Sequence, residues 1–382
     1  MNFRKAAAAA MMVMGVAGMT ANTNAQSGNG ATGNAASTQV TTPKLQRTIR
    51  VGGLLSDRLI VMKMSFSPDS RYLGIVTRNS AGTTDIVVWD MEQDRQQSRI
   101  HCKGDFDITP SDQLLWTPDG KAILFGAKRQ WDPLTGEALP DNPVVGGSAR
   151  LNRDGSRLLT LAGTMGGPTY VNLYDTKMWA LQTIEVDGVY ATGAAWTADD
   201  KILINAIPNR EIENKTMDGH LVHDYDTTLR LIDPSGKTPT RAVWFSRRPT
   251  GNPQSPYTYS FPGGADGRTN FATNQIFLGT SQIIDGATLE VRRYHSGAAA
   301  NIDPGAFGMG FSPDGKWLYL KGASFATEGY KPLENTIVDT ASGNPVLQFD
   351  GAMGHVGALA VSPDGQSLAL SEANSVQVYR LR

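Results

Sequence analysis

The sequence predicts an all-β fold, a β-propeller of seven four-stranded antiparallel blades closed by pairing of the N- and C-terminal strands. Three observations carry this expectation. A tight turn of the Ser-Pro-Asp-Gly kind recurs along the chain, a short apolar run ending in Asp follows every copy but the last, and the turns are spaced by 50, 35, 45, 67, 48 and 50 residues. That spacing brackets the ~40–50 residues of one propeller blade.

The turn copies are Ser67-Pro68-Asp69-Ser70, Thr117-Pro118-Asp119-Gly120, Asn152-Arg153-Asp154-Gly155, Thr197-Ala198-Asp199-Asp200, Ser312-Pro313-Asp314-Gly315 and Ser362-Pro363-Asp364-Gly365, with a degenerate copy at Ala265-Asp266-Gly267. Proline presets the first turn angle, Asp tolerates the second, and Gly takes the left-handed conformation that lets a twisted strand return. Strand a of each unit precedes the turn and carries pairs such as Met64 and Phe66, Leu114 and Trp116, Ala194 and Trp196, or Leu359 and Val361. Strand b follows it, with a large aliphatic residue four positions after the Asp: Leu73, Ile123, Leu158, Leu203, Leu318 and Leu368. Alternation around these residues is the period-two pattern of a half-buried strand.

Strand c is marked by Val88-Trp89-Asp90, Gln130-Trp131-Asp132, Leu173-Tyr174-Asp175, Leu231-Ile232-Asp233, Ile283-Ile284-Asp285 and Ile337-Val338-Asp339. Short alternating segments such as Ile184-Glu185-Val186 supply strand d. The last repeat stops after Val376-Gln377-Val378-Tyr379, its third strand, while Leu45 to Val51 precede the first repeat and match a fourth strand. These residues are expected to complete blade seven. Blade five is the least regular repeat, since Phe271 comes one position late, and a six-bladed ring with a large insertion is the structural alternative.

The Ser-Pro-Asp-Gly turns, the two Trp-Asp dipeptides and the Gly354-His355 pair resemble the WD40-type β-propeller superfamily in an exported bacterial form, over roughly residues 45 to 382. That resemblance implies the architecture and leaves the activity open, because the fold hosts scaffolds, sensors and enzymes.

Residues 1–25 read as a signal peptide: Arg4 and Lys5, an apolar stretch from Ala6 to about Gly18, then small polar residues ending at Ala25. Residues 26–44 read as a flexible polar leader. The single cysteine, Cys102, permits no intramolecular disulfide and leaves no lipid-anchor cysteine at the cleavage site; it reads as a small buried hydrophobe. A periplasmic or secreted monomer without a membrane span is expected. With 35 Lys+Arg against 36 Asp+Glu there is no cationic field for nucleic acid.

Chemistry is expected on the connections joining strand b to c and strand d to the next a, which emerge on one face. In the d–a connection after blade four, Arg247, Arg248, Tyr257 and Tyr259 are residue types enriched at binding hot spots, stiffened by Pro249, Pro253 and Pro256. An insertion in blade six adds Phe325 and Tyr330. The blade-four insertion holds His220, His223, Asp224 and Asp226, two imidazoles and two carboxylates of the kind that ligate a divalent metal, or else a solvated polar loop entering strand c.

No Gly-x-Ser-x-Gly elbow, Cys-x-x-Cys-His or strand–helix Gly-x-Gly-x-x-Gly is present, which removes serine-hydrolase, haem-attachment and Rossmann readings. The favoured reading is a non-catalytic propeller docking a protein or cell-envelope component, with no cofactor. The alternative is a propeller enzyme, a metal-dependent lactonase or quinone-cofactor dehydrogenase, with Glu211, Glu213, Asp218 and Asp226 among its candidate ligands.

Overall fold

The structure, a computed structural model, describes residues 42–52, 59–102, 113–126, 128–164, 167–209, 213–223, 226–246, 269–277, 282–293, 308–322, 325–326, 329–330, 334–342, 345–350, 358–372 and 374–381. All of them fall within the compact unit Val40–Arg382. Of the signal and leader read over residues 1–44, residues 1–41 lie outside them, and Lys44, read as the end of the leader, begins the first strand.

Among the described residues there is no helix, and none is therefore long and apolar enough to cross a membrane. Each blade is an antiparallel up-and-down sheet, with its strands in chain order in every blade but the seventh. Blade one is Ile60–Phe66, Tyr72–Arg78, Thr84–Asp90 and Arg95–Cys102. Blade three is Gly147–Leu151, Arg157–Gly163, Thr169–Asp175 and Leu181–Val186. Blade four is Val189–Trp196, Ile202–Pro208, Asp226–Ile232 and Arg241–Ser246. Blade five is Thr269–Asn270, Gln275–Phe277, Gln282–Asp285 and Val291–Arg293. Blade six is Gly308–Phe311, Trp317–Gly322, Glu334–Asp339 and Pro345–Asp350.

Blade seven closes the ring as expected. Leu359–Val361, Ser367–Glu372 and Ser375–Arg380 take Lys44–Arg50 as their fourth strand, with Arg47 opposite Val378 and Ile49 opposite Val376. Arg47 then ties that strand to blade one, its Nη1 donating to Met91 O and Asp94 Oδ1, each at 2.8 Å.

Blade two departs from four regular strands. Leu114–Trp116, Ile123–Phe125 and Arg129–Trp131 form its sheet, and the fourth position is reduced to the bridge between Trp131 and Ala138 and the bond from Leu139 N to Gln130 O, 2.9 Å. Pro140 and Pro143 explain this, because proline has no N–H to donate to a ladder and is confined to sheet edges.

The core decides the blade number. Seven apolar clusters of described residues sit one at each blade boundary, from Val76, Ile86 and Ile100 against Trp116, Ile123 and Phe125 between blades one and two, to Met64, Ile75 and Val87 against Ala358, Ala360, Ala369 and Val376 between blades seven and one. A six-bladed ring has six such boundaries. Inner strands are covered on both faces: all seven residues of Asp226–Ile232 are buried, whereas the outer strand Leu181–Val186 is mostly exposed. Cys102 is buried in the boundary of blades one and two, and that burial pushes its thiol up to about 12.

Both sequence markers turn out to be hydrogen-bonded caps. In the a–b turns the first residue's oxygen accepts the N–H that restarts strand b: Tyr72 N donates to Ser67 Oγ at 2.8 Å, Ala122 N to Thr117 Oγ1 at 2.9 Å and Ser367 N to Ser362 Oγ at 2.8 Å. Serine and threonine hydroxyls of these turns also donate to the Asp two residues on. At Gly155 the turn requires glycine: φ is +68° and a Cβ would lie 1.8 Å from Pro118 Cγ of the neighbouring blade. The Asp ending strand c caps the c–d turn, as where Asp175 Oδ1 accepts the N–H groups of Lys177 and Met178, and Asp285 Oδ1 those of Ala287 and Thr288.

The first hairpin of blade five corrects the expected turn. It runs through 271–274, with Asn270 opposite Gln275, and not through Ala265-Asp266-Gly267, which lies outside the described residues. Asn270 replaces the turn Ser/Thr, its Oδ1 accepting Ala272 N and Thr273 N, and Asn274 supplies the left-handed residue with φ of 54°. Phe271, expected in strand b, is thereby a turn residue.

Candidate functional site

Strands a of neighbouring blades touch around the axis, blade one with blades two and seven, blade three with blade four, and blade six with blade seven. Their C-terminal ends and the a–b turns surround an axial cavity of about 750 Å³. Every blade contributes to its wall: Phe66, Trp116, Leu151, Trp196, Asn270, Phe311 and Val361 are one residue from each. Volumes of this order are those of small-molecule and peptide sites.

Indole N–H groups join the blades around this mouth. Trp116 Nε1 donates to Ser65 O of the preceding blade at 3.1 Å, and Trp196 Nε1 to Arg150 O at 3.0 Å. Thr269 Oγ1 continues the series to Trp196 O at 2.5 Å, and Asn270 Nδ2 to Ser312 O at 2.8 Å. These bonds leave the aromatic walls little freedom to rearrange.

The charged residues in the described wall are Arg150 and Arg153. Arg150 is 5% exposed on the inner strand of blade three, with Nη1 donating to Ala149 O at 2.7 Å. The turn carboxylates point into their own turns. Asp119 is held below the usual carboxylate range by the Thr117 hydroxyl and the Lys121 N–H, and Asp154 by the Ser156 hydroxyl and N–H.

The insertion face lies at the opposite end of the blades, because b–c and a–b connections alternate ends in an up-and-down sheet. In blade four Thr216–Met217 and His220–Leu221 form a hairpin across Asp218 and Gly219, whose φ values of 53° and 76° suit the two-residue turn that twisted strands prefer. It is anchored to its sheet. His220 Nε2 is 2.8 Å from Asp226 Oδ2, its ring stacks on Trp244 at 4.9 Å and 9°, and Arg230 Nη2 donates to Asp218 Oδ2 at 2.8 Å. Burial lowers the Arg230 guanidinium while the Asp218 charge opposes it. Asp226 is 1% exposed, and its second oxygen, with Thr228 Oγ1, Arg230 Nε and Trp244 Nε1, is buried without a hydrogen-bond partner.

Of the metal candidates, the structure thus brings His220 and Asp226 into direct contact, and His223 donates its backbone N–H to the same carboxylate oxygen at 3.0 Å. Asp224 lies outside the described residues, and among the described residues no three His, Cys, Asp or Glu side chains converge. Phe325 and Tyr330 pair directly across a second b–c hairpin, in blade six. Arg247, Arg248, Tyr257 and Tyr259 lie outside the described residues.

Sequence reasoning placed no residue at the axial cavity, although one signal was there. Four positions before the turn Asp the clear repeats carry Ser65, Leu115, Arg150, Ala195, Gly310 and Ala360, so Arg150 is the charged exception.

The β-propeller domain of Cps50 (Swd1) from Myceliophteria thermophila is similar to this chain with a TM-score of 0.58 at 14% identity, covering 89% of this chain and 100% of that domain. The two share a fold. A chain of the mitotic checkpoint complex is similar with a TM-score of 0.51, again at 14% identity, covering 94% of this chain and 98% of that one. No family model matches the sequence, and no curated protein matches it.

Proposed function

We propose that this propeller is an exported, non-catalytic binding module that docks a protein or cell-envelope component through its b–c and d–a face. The observation that carries the reading is the pair of added hairpins. Blades four and six both elaborate their b–c connections, so their hairpins rise at the same end, and the blade-four hairpin is held to its sheet by the His220–Asp226 and Asp218–Arg230 contacts. A surface preorganised in this way loses little entropy on docking. Export to the periplasm or exterior rests on the signal-like residues 1–25, and the WD40-type resemblance favours a partner that is a protein.

The test is affinity capture from a periplasmic extract with the folded protein as bait. Replacing Arg247, Arg248, Tyr257 and Tyr259 together by Ala is expected to remove one specific captured species while the melting temperature stays within about 2 °C, as surface changes do. Unchanged recovery with the quadruple variant overturns the assignment of that face.

A further inference from the structure

We propose that the blade-four hairpin is a latch, its tip Thr216 to Leu221 passing between a closed form that shapes the docking face and an open form that lets water reach Asp226, Thr228, Arg230 and Trp244. That only the closed form docks rests on the function proposed above. The opening itself rests on contacts within this chain.

The tip does not hold itself in place. It has two residue pairs, Thr216 with Leu221 and Met217 with His220, and a two-stranded hairpin is at best marginally stable in water without a surface to lie on. Its root is fixed: Val222 is 0% exposed, donates to Lys215 O at 2.9 Å and accepts from Asn214 N at 2.7 Å. Beyond that root three side chains hold the tip down. His220 meets Asp226 and lies on Trp244, and Asp218 accepts the bond from Arg230. Met217 packs against the cluster between blades three and four, with its Sδ 3.4 Å from Arg230 Nη2. The side chains of His220 and Asp218 are 36% and 39% exposed, so water competes for both polar contacts.

The surface beneath favours opening. Asp226, Thr228 and Arg230 alternate along their strand and so share one face, with Trp244 opposite Thr228. Asp226 Oδ1, Thr228 Oγ1, Arg230 Nε and Trp244 Nε1 are all buried there without a hydrogen-bond partner. In the closed form these four atoms have left water and found no replacement, which is costly for each. Opening hydrates them while the strand ladder of blade four stays intact. Contacts that water contests above, and polar atoms that gain from water below, bring the two forms close in free energy. A partner that binds the closed form then draws the population toward it, and its apparent affinity scales with the closed fraction.

Labelling of arginines with phenylglyoxal, read by peptide mass spectrometry on the full chain at single-hit conversion, reports the opening without any partner. Arg230 and Arg150 are each 5% exposed, and Arg150, at the other end of the blades, is the internal control. His220→Ala is expected to speed labelling of Arg230 at least fivefold. Thr228→Val removes one unpartnered atom from beneath the tip and is expected to slow it about fivefold. Arg150 is expected to stay unchanged in both, and if His220→Ala does not fold, Thr228→Val alone decides. Unchanged labelling of Arg230 in either folded variant, or equal shifts at Arg150 and Arg230, overturns the latch. Capture from the periplasmic extract with His220→Ala as bait is expected to fall with its closed fraction. Undiminished capture while Arg230 labels faster overturns the gating, whereas no capture by the unaltered protein counts against the docking reading alone.

Discussion

Ile49 provides the sharpest test of how the ring is held shut. It lies on the N-terminal strand opposite Val376 of the C-terminal strand, is 1% exposed, and belongs to the cluster between blades seven and one with Val51, Met64, Ile75 and Val378. Ile49→Ala deletes three carbons from a site pinned on both sides by ladder hydrogen bonds, so the cavity collapses little. Such truncations cost about 2–5 kcal/mol. At roughly 2.1 cal/mol/K of unfolding entropy per residue, a compact unit of about 340 residues loses about 0.7 kcal/mol per kelvin, so the melting temperature is expected to drop by about 3–7 °C. Leu45, on the same strand but 48% exposed, is the control, and Leu45→Ala is expected to shift it by under about 1 °C. Differential scanning calorimetry on both variants, with urea unfolding to check that the m-value is unchanged, makes the comparison. Equal effects at the two positions, or no loss at Ile49, would refute the argument that burial on this strand holds the ends together.

Two further outcomes follow from the polar chemistry. Thr228 is fully buried in the inner part of blade four with its hydroxyl unpartnered, so Thr228→Val, close in shape, is expected to stabilise the fold by about 1 kcal/mol, read as a rise in the urea midpoint at constant m; a fall would mean the hydroxyl holds a bound water. Asp119, Asp154, Asp175 and Asp233 are all held below the ordinary carboxylate range, Asp233 by the hydroxyls of Ser235 and Thr238 and Asp175 by the N–H groups of Met178 and Lys177. Their folded values are depressed, so the stability they add is complete above the unfolded value of roughly 3.9 and is lost as pH falls through the folded values. Melting temperature is expected to decline between about pH 4 and pH 2, less steeply in Asp233→Asn; an identical acid profile in that variant would count against the turn hydrogen bonds as the cause.

What the blade-four insertion does was not legible before folding. His220, His223 and Asp226 invited a metal reading because their types suit one. Register decides which atoms meet: with Thr228 opposite Trp244 on the paired strands, the His220 ring stacks on the indole and reaches Asp226 at the same time. Blade five was misjudged for a comparable reason. A turn can be started by Asn270 as well as by Ser or Thr, and only its hydrogen bonds to Ala272 and Thr273 reveal which residue does so.

The repeat itself was written in the chain. Turn chemistry and period-two alternation act over four to eight neighbouring residues, so the hairpins outside blade five and the match of Leu45–Val51 to a missing fourth strand follow from local pattern, whereas the choice of seven blades over six waited for the core boundaries. The axial cavity is not local either. Its wall takes one or a few residues from each of seven blades, from Phe66 to Val361, and residues so far apart in sequence become neighbours only when apolar burial at seven boundaries closes the ring.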